Sequence, residues 1–198
     1  NKHLPLLYID GSGRRTQYHY NNFGELTILT DANGDVWTRT YDPNGYFTQI
    51  NGPLAGNNDI TTFSYDGYGR LYTVTDSEGY TLTYNYDLAN RLTQVTYLDG
   101  TFEQTVYDKL DAILHKDRIG RWSQDAYDAM DQLAFEIDPL SRKTQYAWCA
   151  CGALKTLTDP ANQTTTWEHD IEGRVTQKTY ADQTATLYAY ENNTSRLK

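Results

Sequence analysis

An aromatic side chain returns along this sequence at an almost constant interval, and that interval limits what the chain can fold into. Tyr20, Tyr41, Tyr65, Tyr86, Tyr107, Tyr127, Trp148, His169 and Tyr190 are separated by steps of 21, 24, 21, 21, 20, 21, 21 and 21 residues. A fixed period of this length marks a repeat architecture, in which stacked neighbours complete what one unit cannot build alone.

Each repeat holds two turn signals. Directly after the aromatic comes Asp-x-x-Gly, as in Asp42 with Gly45, Asp66 with Gly69 and Asp170 with Gly173. A second signal precedes the next aromatic, as in Asp31 with Gly34 and Asp76 with Gly79. Asp bonds turn amides and Gly supplies positive φ without a steric penalty. Asn90, Asp111 and Asp131 stand where the first Gly is expected, and Asn and Asp tolerate that backbone region best. Between turns lie runs rich in Thr, Tyr, Val, Phe and Trp, which favour strands. Thr81-Leu82-Thr83-Tyr84-Asn85-Tyr86 alternates large and small polar side chains, which predicts a strand with one buried face. The following strand is less regular: Leu71 and Val74, like Leu92 and Val95, are three residues apart. A bulge, a strong twist or burial on both faces would each reconcile that spacing with a strand.

The segments Tyr65-Asp66-Gly67-Tyr68-Gly69-Arg70-Leu71-Tyr72-Thr73-Val74-Thr75 and Tyr86-Asp87-Leu88-Ala89-Asn90-Arg91-Leu92-Thr93-Gln94-Val95-Thr96 resemble the YD-repeat, or Rhs-repeat, family. Weaker copies extend the likeness over nearly the whole chain. The resemblance implies long β-sheets that coil into hollow shells, as in bacterial polymorphic toxins, insecticidal toxin complexes and teneurins. It therefore implies a secreted or surface-exposed, bacterial scaffold that encloses or presents another domain, such as a C-terminal toxin, and not an enzyme. The repeat-defining residues carried by it are Tyr20, Tyr41, Tyr65, Tyr86, Tyr107, Tyr127, Trp148 and Tyr190 together with Asp66, Gly69, Arg70, Leu71, Asp87, Arg91, Leu92, Gly152, Asp170, Gly173 and Arg174. Arg70, Arg91 and Arg174 keep the family's Arg, whereas Tyr46, Ala112, Gln132 and Ala153 replace it.

The expected fold is thus all-β: one array of β-hairpin repeats spanning residues 1–198 and forming a curved, coiling sheet. Part-repeats at both ends suggest a piece of a longer array. Leu4, Leu6 and Leu7 read as core contributions, and Leu71 and Leu92 as buried equivalents in adjacent repeats. Asn51 to Asp59, where the step lengthens, reads as a longer surface loop. The repeats between Tyr107 and Phe135 are degenerate, with Lys116 and Glu136 in the usual Val position. Tyr127 to Phe135 is the best helix candidate but sits in repeat register.

Composition narrows the function. With 18 Tyr, a hydrophobic content of 38% understates the available apolar ring surface. A net charge of −9 argues against a nucleic-acid partner, which needs clustered Lys and Arg. No apolar run reaches membrane-spanning length. The carboxylates fall mostly at turn positions, so no acid–base pair stands out, and no cofactor motif is present. Trp148-Cys149-Ala150-Cys151-Gly152 replaces one turn. Cys149 and Cys151 are weak metal candidates, because a zinc site needs about four ligands and the nearest His, His169, lies one repeat away. A disulfide or two free thiols in the turn are the other readings. Asp138-Pro139-Leu140-Ser141 and Asp159-Pro160-Ala161-Asn162 resemble self-cleavage motifs of some YD-repeat toxins, but Ser141 and Asn162 replace both glycines, and each segment fits an ordinary turn. Asn162-Gln163-Thr164, Asn192-Asn193-Thr194 and Asn193-Thr194-Ser195 fit the glycosylation pattern. The alternative to a shell is an adhesive or carbohydrate-binding module, which would expose several aromatics in a groove where a shell packs Tyr84, Tyr86, Tyr146 and Trp148 between repeats. Unpaired sheet edges would also permit self-association.

Overall fold

The computed structural model describes residues 4–56, 58–191 and 196–197. The chain divides into two compact units, Asn1–Phe102 and Glu103–Lys198. The first holds β1 (Leu7–Ile9), β2 (Arg15–Tyr20), β3 (Leu26–Thr30), β4 (Val36–Tyr41), β5 (Phe47–Asn51), β6 (Thr61–Tyr65), β7 (Leu71–Thr75), β8 (Thr81–Tyr86) and β9 (Leu92–Thr96). Past its first residue, β10 (Phe102–Asp108) belongs to the second unit. There it is followed by β11 (Asp111–Lys116), β12 (Trp122–Tyr127), β13 (Leu133–Ile137), β14 (Lys143–Trp148), β15 (Leu154–Thr158), β16 (Thr164–His169), β17 (Val175–Thr179) and β18 (Ala185–Leu187). Within each unit consecutive strands pair antiparallel. No helix occurs among the described residues, and Tyr127–Phe135 is strand, turn and strand. The fold is the all-β hairpin array that the periodicity predicts.

A bulge settles the irregular strand. Ser64 pairs with Thr73 but Tyr65 pairs with Leu71, which leaves Tyr72 as the extra residue. Thr93 plays the same part between the pairs Asn85–Gln94 and Tyr86–Leu92. The extra residue shifts the alternation by one, so Leu71 and Val74 share a face despite a spacing of three. The same register shift recurs at β2–β3, β4–β5, β12–β13, β14–β15 and β16–β17, each time beside the slot aromatic.

Cross-strand pairing sorts the side chains. Phe63 opposes Val74, Val74 opposes Leu82, Tyr84 opposes Val95, and Tyr65 and Tyr86 oppose Leu71 and Leu92. The other face is a polar ladder of hydroxyls and amides, with Ser64 Oγ to Thr73 Oγ1 at 2.5 Å and Thr75 Oγ1 to Thr81 Oγ1 at 2.8 Å.

The expected burial is not found. Among the described residues no side chain, apolar or polar, is fully removed from solvent. Leu71 is half-buried and Leu92 is 38% exposed, while Leu4, Leu6 and Leu7 are exposed. The register is nevertheless as expected, since Leu71 and Leu92 hold equivalent pairs. The reason is architectural. A sheet face becomes a closed core only when a second layer covers it, and each unit consists of a single sheet.

The hairpin after Tyr107 corrects two further readings. Asp108 pairs with Asp111, so the loop is only Lys109-Leu110, one residue shorter than its counterparts. The positive φ expected at Asp111 falls instead on Lys109, at 50°, whereas Asn90 and Asp131 do adopt it, at 62° and 58°. The shorter loop explains the 20-residue step and moves every later residue of the strand by one. Ala112 therefore takes the Leu position opposite Tyr107, Asp111 the Arg position, and His115, not Lys116, the Val position opposite Thr105.

Candidate functional site

The repeated unit of chemistry is the turn after each slot aromatic. At Asp66 the backbone closes through Asp66 N to Arg70 O (2.8 Å) and Gly69 N to Asp66 O (3.0 Å). The carboxylate oxygen Oδ1 then accepts the amides of Tyr68 and Arg70 at 2.8 and 3.0 Å, and Oδ2 accepts Arg70 Nε at 2.7 Å. Asp87 with Arg91 and Asp170 with Arg174 repeat the arrangement. The second turns use it as well: Asp138 Oδ1 accepts the amides of Leu140 and Arg142, and Ser141 and Asn162 hold the positive-φ position at 62° and 60°. Both Asp-Pro segments are therefore ordinary turns of the array.

These contacts lower the carboxyl pKa values. For Asp87 the Arg91 amide contributes most, burial opposes it, and the Arg91 guanidinium and Ala89 amide add to the lowering below the ordinary 3.8. For Asp138 the Arg142 guanidinium leads, followed by the Arg142 amide. A hydrogen bond to the charged form favours that form.

The slot aromatics tie successive repeats together. Tyr20 Oη donates to Pro5 O (3.1 Å), Tyr41 to Leu26 O (3.0 Å), Tyr65 to Phe47 O (2.8 Å), Tyr86 to Leu71 O (2.9 Å) and Tyr190 to Val175 O (2.8 Å). Trp148 Nε1 does the same to Leu133 O at 2.8 Å, which explains why an indole can replace a phenol here. Tyr107 and Tyr127 oppose Ala112 and Leu133 in their own hairpins.

The residue in the Arg position reaches over the next turn. The Arg70 guanidinium lies 4.7 Å from the Tyr86 ring centre, and its Nη1 donates to Asp87 O at 2.9 Å and Asn90 Oδ1 at 3.0 Å. Arg174 lies 4.7 Å from the Tyr190 ring. In three repeats without Arg, another side chain does the reaching. Tyr46 stacks on Tyr65 at 4.8 Å, and its hydroxyl occupies the space a Cβ at Gly69 would need. Gln132 approaches Gly152, and Glu25 approaches Gly45.

Two places depart from this pattern. The first lies on the aromatic face of β11–β14. Asp125 and Glu136 are direct cross-strand partners in positions held by Phe63 and Val74, or Tyr84 and Val95, elsewhere. His115 Nε2 lies 3.3 Å from Asp125 Oδ2, and Tyr146 Oη donates to Glu136 Oε1 at 2.8 Å. Burial, then the Glu136 hydrogen bond and the nearby carboxylates, push Tyr146 up to about 12. The sequence marks Glu136 as a departure and Tyr146 only as a packing aromatic; Asp125 carries no motif, and the short loop hides the place of His115.

The second departure is the Cys turn. Cys149 and Cys151 form a disulfide, which leaves neither thiol free to ligate a metal. Cys149 Sγ takes the role of Asp Oδ1, accepting the Cys151 amide at 3.2 Å, and the turn closes through Cys149 N to Ala153 O (2.9 Å). His169 stands in the next aromatic position, beside a groove of about 520 Å³. Among the described residues no cluster of three or more His, Cys, Asp or Glu is arranged to hold a metal ion. Of the possible glycosylation sites, Asn162 lies in an exposed turn, and the two between 192 and 195 lie outside the described residues.

Turns, bulges and aromatic ties define a β-hairpin repeat protein. The RHS Repeat family profile matches residues 6–36, 65–101 and 152–185, more than half of the sequence. The chain belongs to the RHS repeat family. No curated protein matches it. Its fold is similar to the crystal structure of TcdB2-TccC3-TEV, with a TM-score of 0.74 and 14% identity over 94% of this chain and 11% of that one. It is also similar to TcdB2-TccC3 (TM-score 0.58, 16% identity, 93% and 10% of the two chains). A further likeness is to the Photorhabdus luminescens Tc holotoxin pore with a mutated TccC3 (TM-score 0.59, 18% identity, 93% and 10%). This chain spans about a tenth of the length of those solved chains, and at these identities the likeness is one of fold. No helix of the described residues is long and apolar enough to cross a membrane.

Proposed function

We propose that this chain is a stretch of wall in a non-enzymatic Rhs-repeat shell, one segment of a longer array that encloses or presents another domain, such as a toxin, in a secreted or surface-exposed bacterial protein. The observation that carries the reading is the use made of the large side chains. Tyr86, Trp148 and Tyr190 spend their polar atoms on the preceding repeat, and the discriminating rings Tyr84, Tyr86, Tyr146 and Trp148 are all half-buried. A carbohydrate binder would leave such atoms turned to solvent for a sugar. The repeat residues Asp66, Gly69 and Arg70, and their counterparts around Asp87 and Asp170, act in this reading as wall joints and not as a site. The partner is the remainder of the same polypeptide. Electron microscopy of the complete gene product tests the reading. A hollow particle with density inside supports it, and an extended or solid particle contradicts it.

A further inference from the structure

Within the second unit, a groove of about 520 Å³ is lined by Trp148 and the Cys149–Cys151 turn, and by Trp167, His169 and Asp170 of the next repeat. A groove on the corresponding positions of the Tyr46 repeat, lined by Asp42, Tyr46, Phe63 and Asp66, is smaller, about 350 Å³, and the two repeats differ in the residue that holds the Arg position. Counting by the pairing register, the residues that occupy the Arg position are Glu25, Tyr46, Arg70, Arg91, Asp111, Gln132, Ala153 and Arg174. Among them Ala153 has the smallest side chain, and like the short Asp111 it has no reach beyond its own turn. Arg70 shows what such an extension does: its guanidinium covers the aromatic sixteen residues on, Tyr86, and bonds the carbonyl seventeen on, Asp87. Arg174 covers Tyr190 with the same spacing. The same offsets from Ala153 lead to the His169 ring and the Asp170 carbonyl, and both line the groove.

We propose that this groove receives an arginine side chain from another polypeptide segment, which completes in trans the contact that Arg70 and Arg174 make in their own repeats. The surroundings suit a planar cation. Three rings, Trp148, Trp167 and His169, line it; Lys178 already lies 5.5 Å from the Trp167 ring centre, so Trp148 and His169 offer the stacking surface, and a guanidinium binds aromatic faces well because it is flat and weakly hydrated. The Asp170 carbonyl accepts one bond from Gly173 N and retains a second lone pair, as Asp87 O does when it takes both Asn90 N and Arg70 Nη1. The Asp170 carboxylate is already held by Arg174, so Glu168 supplies the negative charge. Lys155 also lines the groove and offsets part of that charge. It therefore disfavours a compact ammonium, which binds by charge, more than a guanidinium, which binds by stacking. The disulfide contributes by removing the carboxylate that would otherwise sit at Cys149 and draw an entering guanidinium back to its own turn.

The test titrates the full chain with acetyl-Gly-Arg-Gly-amide and follows the indole N–H signals by NMR. The four indoles belong to Trp37, Trp122, Trp148 and Trp167. Saturable shifts confined to Trp148 and Trp167 are expected, with the lysine peptide binding about fivefold or more weakly. Ala153→Arg supplies the side chain in cis, and it should abolish the shifts while keeping the strand signals of the fold. Ala153→Gln, the residue at the equivalent position of the preceding repeat, gives a milder block if the Arg variant folds poorly. Absent shifts, equal shifts of all four indoles, equal response to lysine, or undiminished binding in both variants would each overturn the proposal.

Discussion

Two hairpin pairs built on the same turn differ in what they place on the aromatic face. In β6–β9 that face is Phe63, Val74, Leu82, Tyr84 and Val95. In β11–β13 the matching positions hold His115, Asp125 and Glu136. The strands, the bulge and the turn bonds persist in both: Asp128 Oδ1 accepts the Met130 and Gln132 amides as Asp66 Oδ1 accepts those of Tyr68 and Arg70. The apolar face is therefore not what specifies this fold. In a single-layer sheet each apolar side chain is only half covered, so exchanging it for a polar one loses little. The turns and bulges fix strand direction and register, and those cannot be exchanged without changing the pairing.

The largest effect should come from acid, because the turn carboxylates act together. Asp66 and Asp87 in one region, and Asp117 and Asp138 in the other, all have lowered pKa values. The sign follows directly. A carboxyl whose folded pKa lies below its unfolded value stabilises the fold above that unfolded value, near 3.8, and the contribution is lost as pH falls through the folded pKa. Thermal melts should hold steady from neutral pH down to the carboxylate range and then drop, with both regions failing together. Early loss of β11–β13 alone would break the comparison.

Next in size is Leu71→Ala. Fully buried Leu truncations cost 2–5 kcal/mol, so a half-buried one should cost about 1–2 kcal/mol in denaturant titration. Glu136→Ala should change stability by less than about 0.5 kcal/mol, because the lost Tyr146 bond is offset by relief of two directly opposed carboxylates. Equal costs at the two sites would show that the polar face is as important to stability as the apolar one.

Tyr86→Phe removes the donor to Leu71 O and should cost about 0.5–1.5 kcal/mol. A change near zero would mean that the ties between repeats contribute shape and not stability.

The smallest effect belongs to Tyr146. Its folded pKa, about 12, exceeds the ordinary 10.0. Its contribution is therefore complete below pH 10 and is lost as pH rises towards 12. Tyr146→Phe should remove that part of the alkaline loss, and an unchanged alkaline profile would show that burial and the Glu136 bond do not hold the Tyr146 proton.

Much of the fold was legible because turns are written locally. Asp66 and Gly69 announce a hairpin without reference to anything distant, and the eighteen strands among the described residues follow from repeating that signal. What was not legible depended on geometry across strands. The bulge residue carries no mark of its own: Tyr72 and Thr93 share only a position. Leu71 and Leu92 read as core because in a two-layer protein they would be. The one-residue deletion at Lys109-Leu110 shows in the 20-residue step, yet only the pairing reveals which residue it moves into the Val position. Ala153 was visible as a departure from the family's Arg. What the departure leaves unmade is legible only from where the side chain of Arg70 goes.

Backbone amide hydrogen exchange across β7–β9 and β11–β13 tests most directly whether turns and bulges, and not an apolar face, hold the array. Comparable protection of the ladder amides in both regions is predicted, despite Asp125 and Glu136 in one and Tyr84 and Val95 in the other. Protection confined to β7–β9, with β11–β13 exchanging freely at neutral pH, would contradict it.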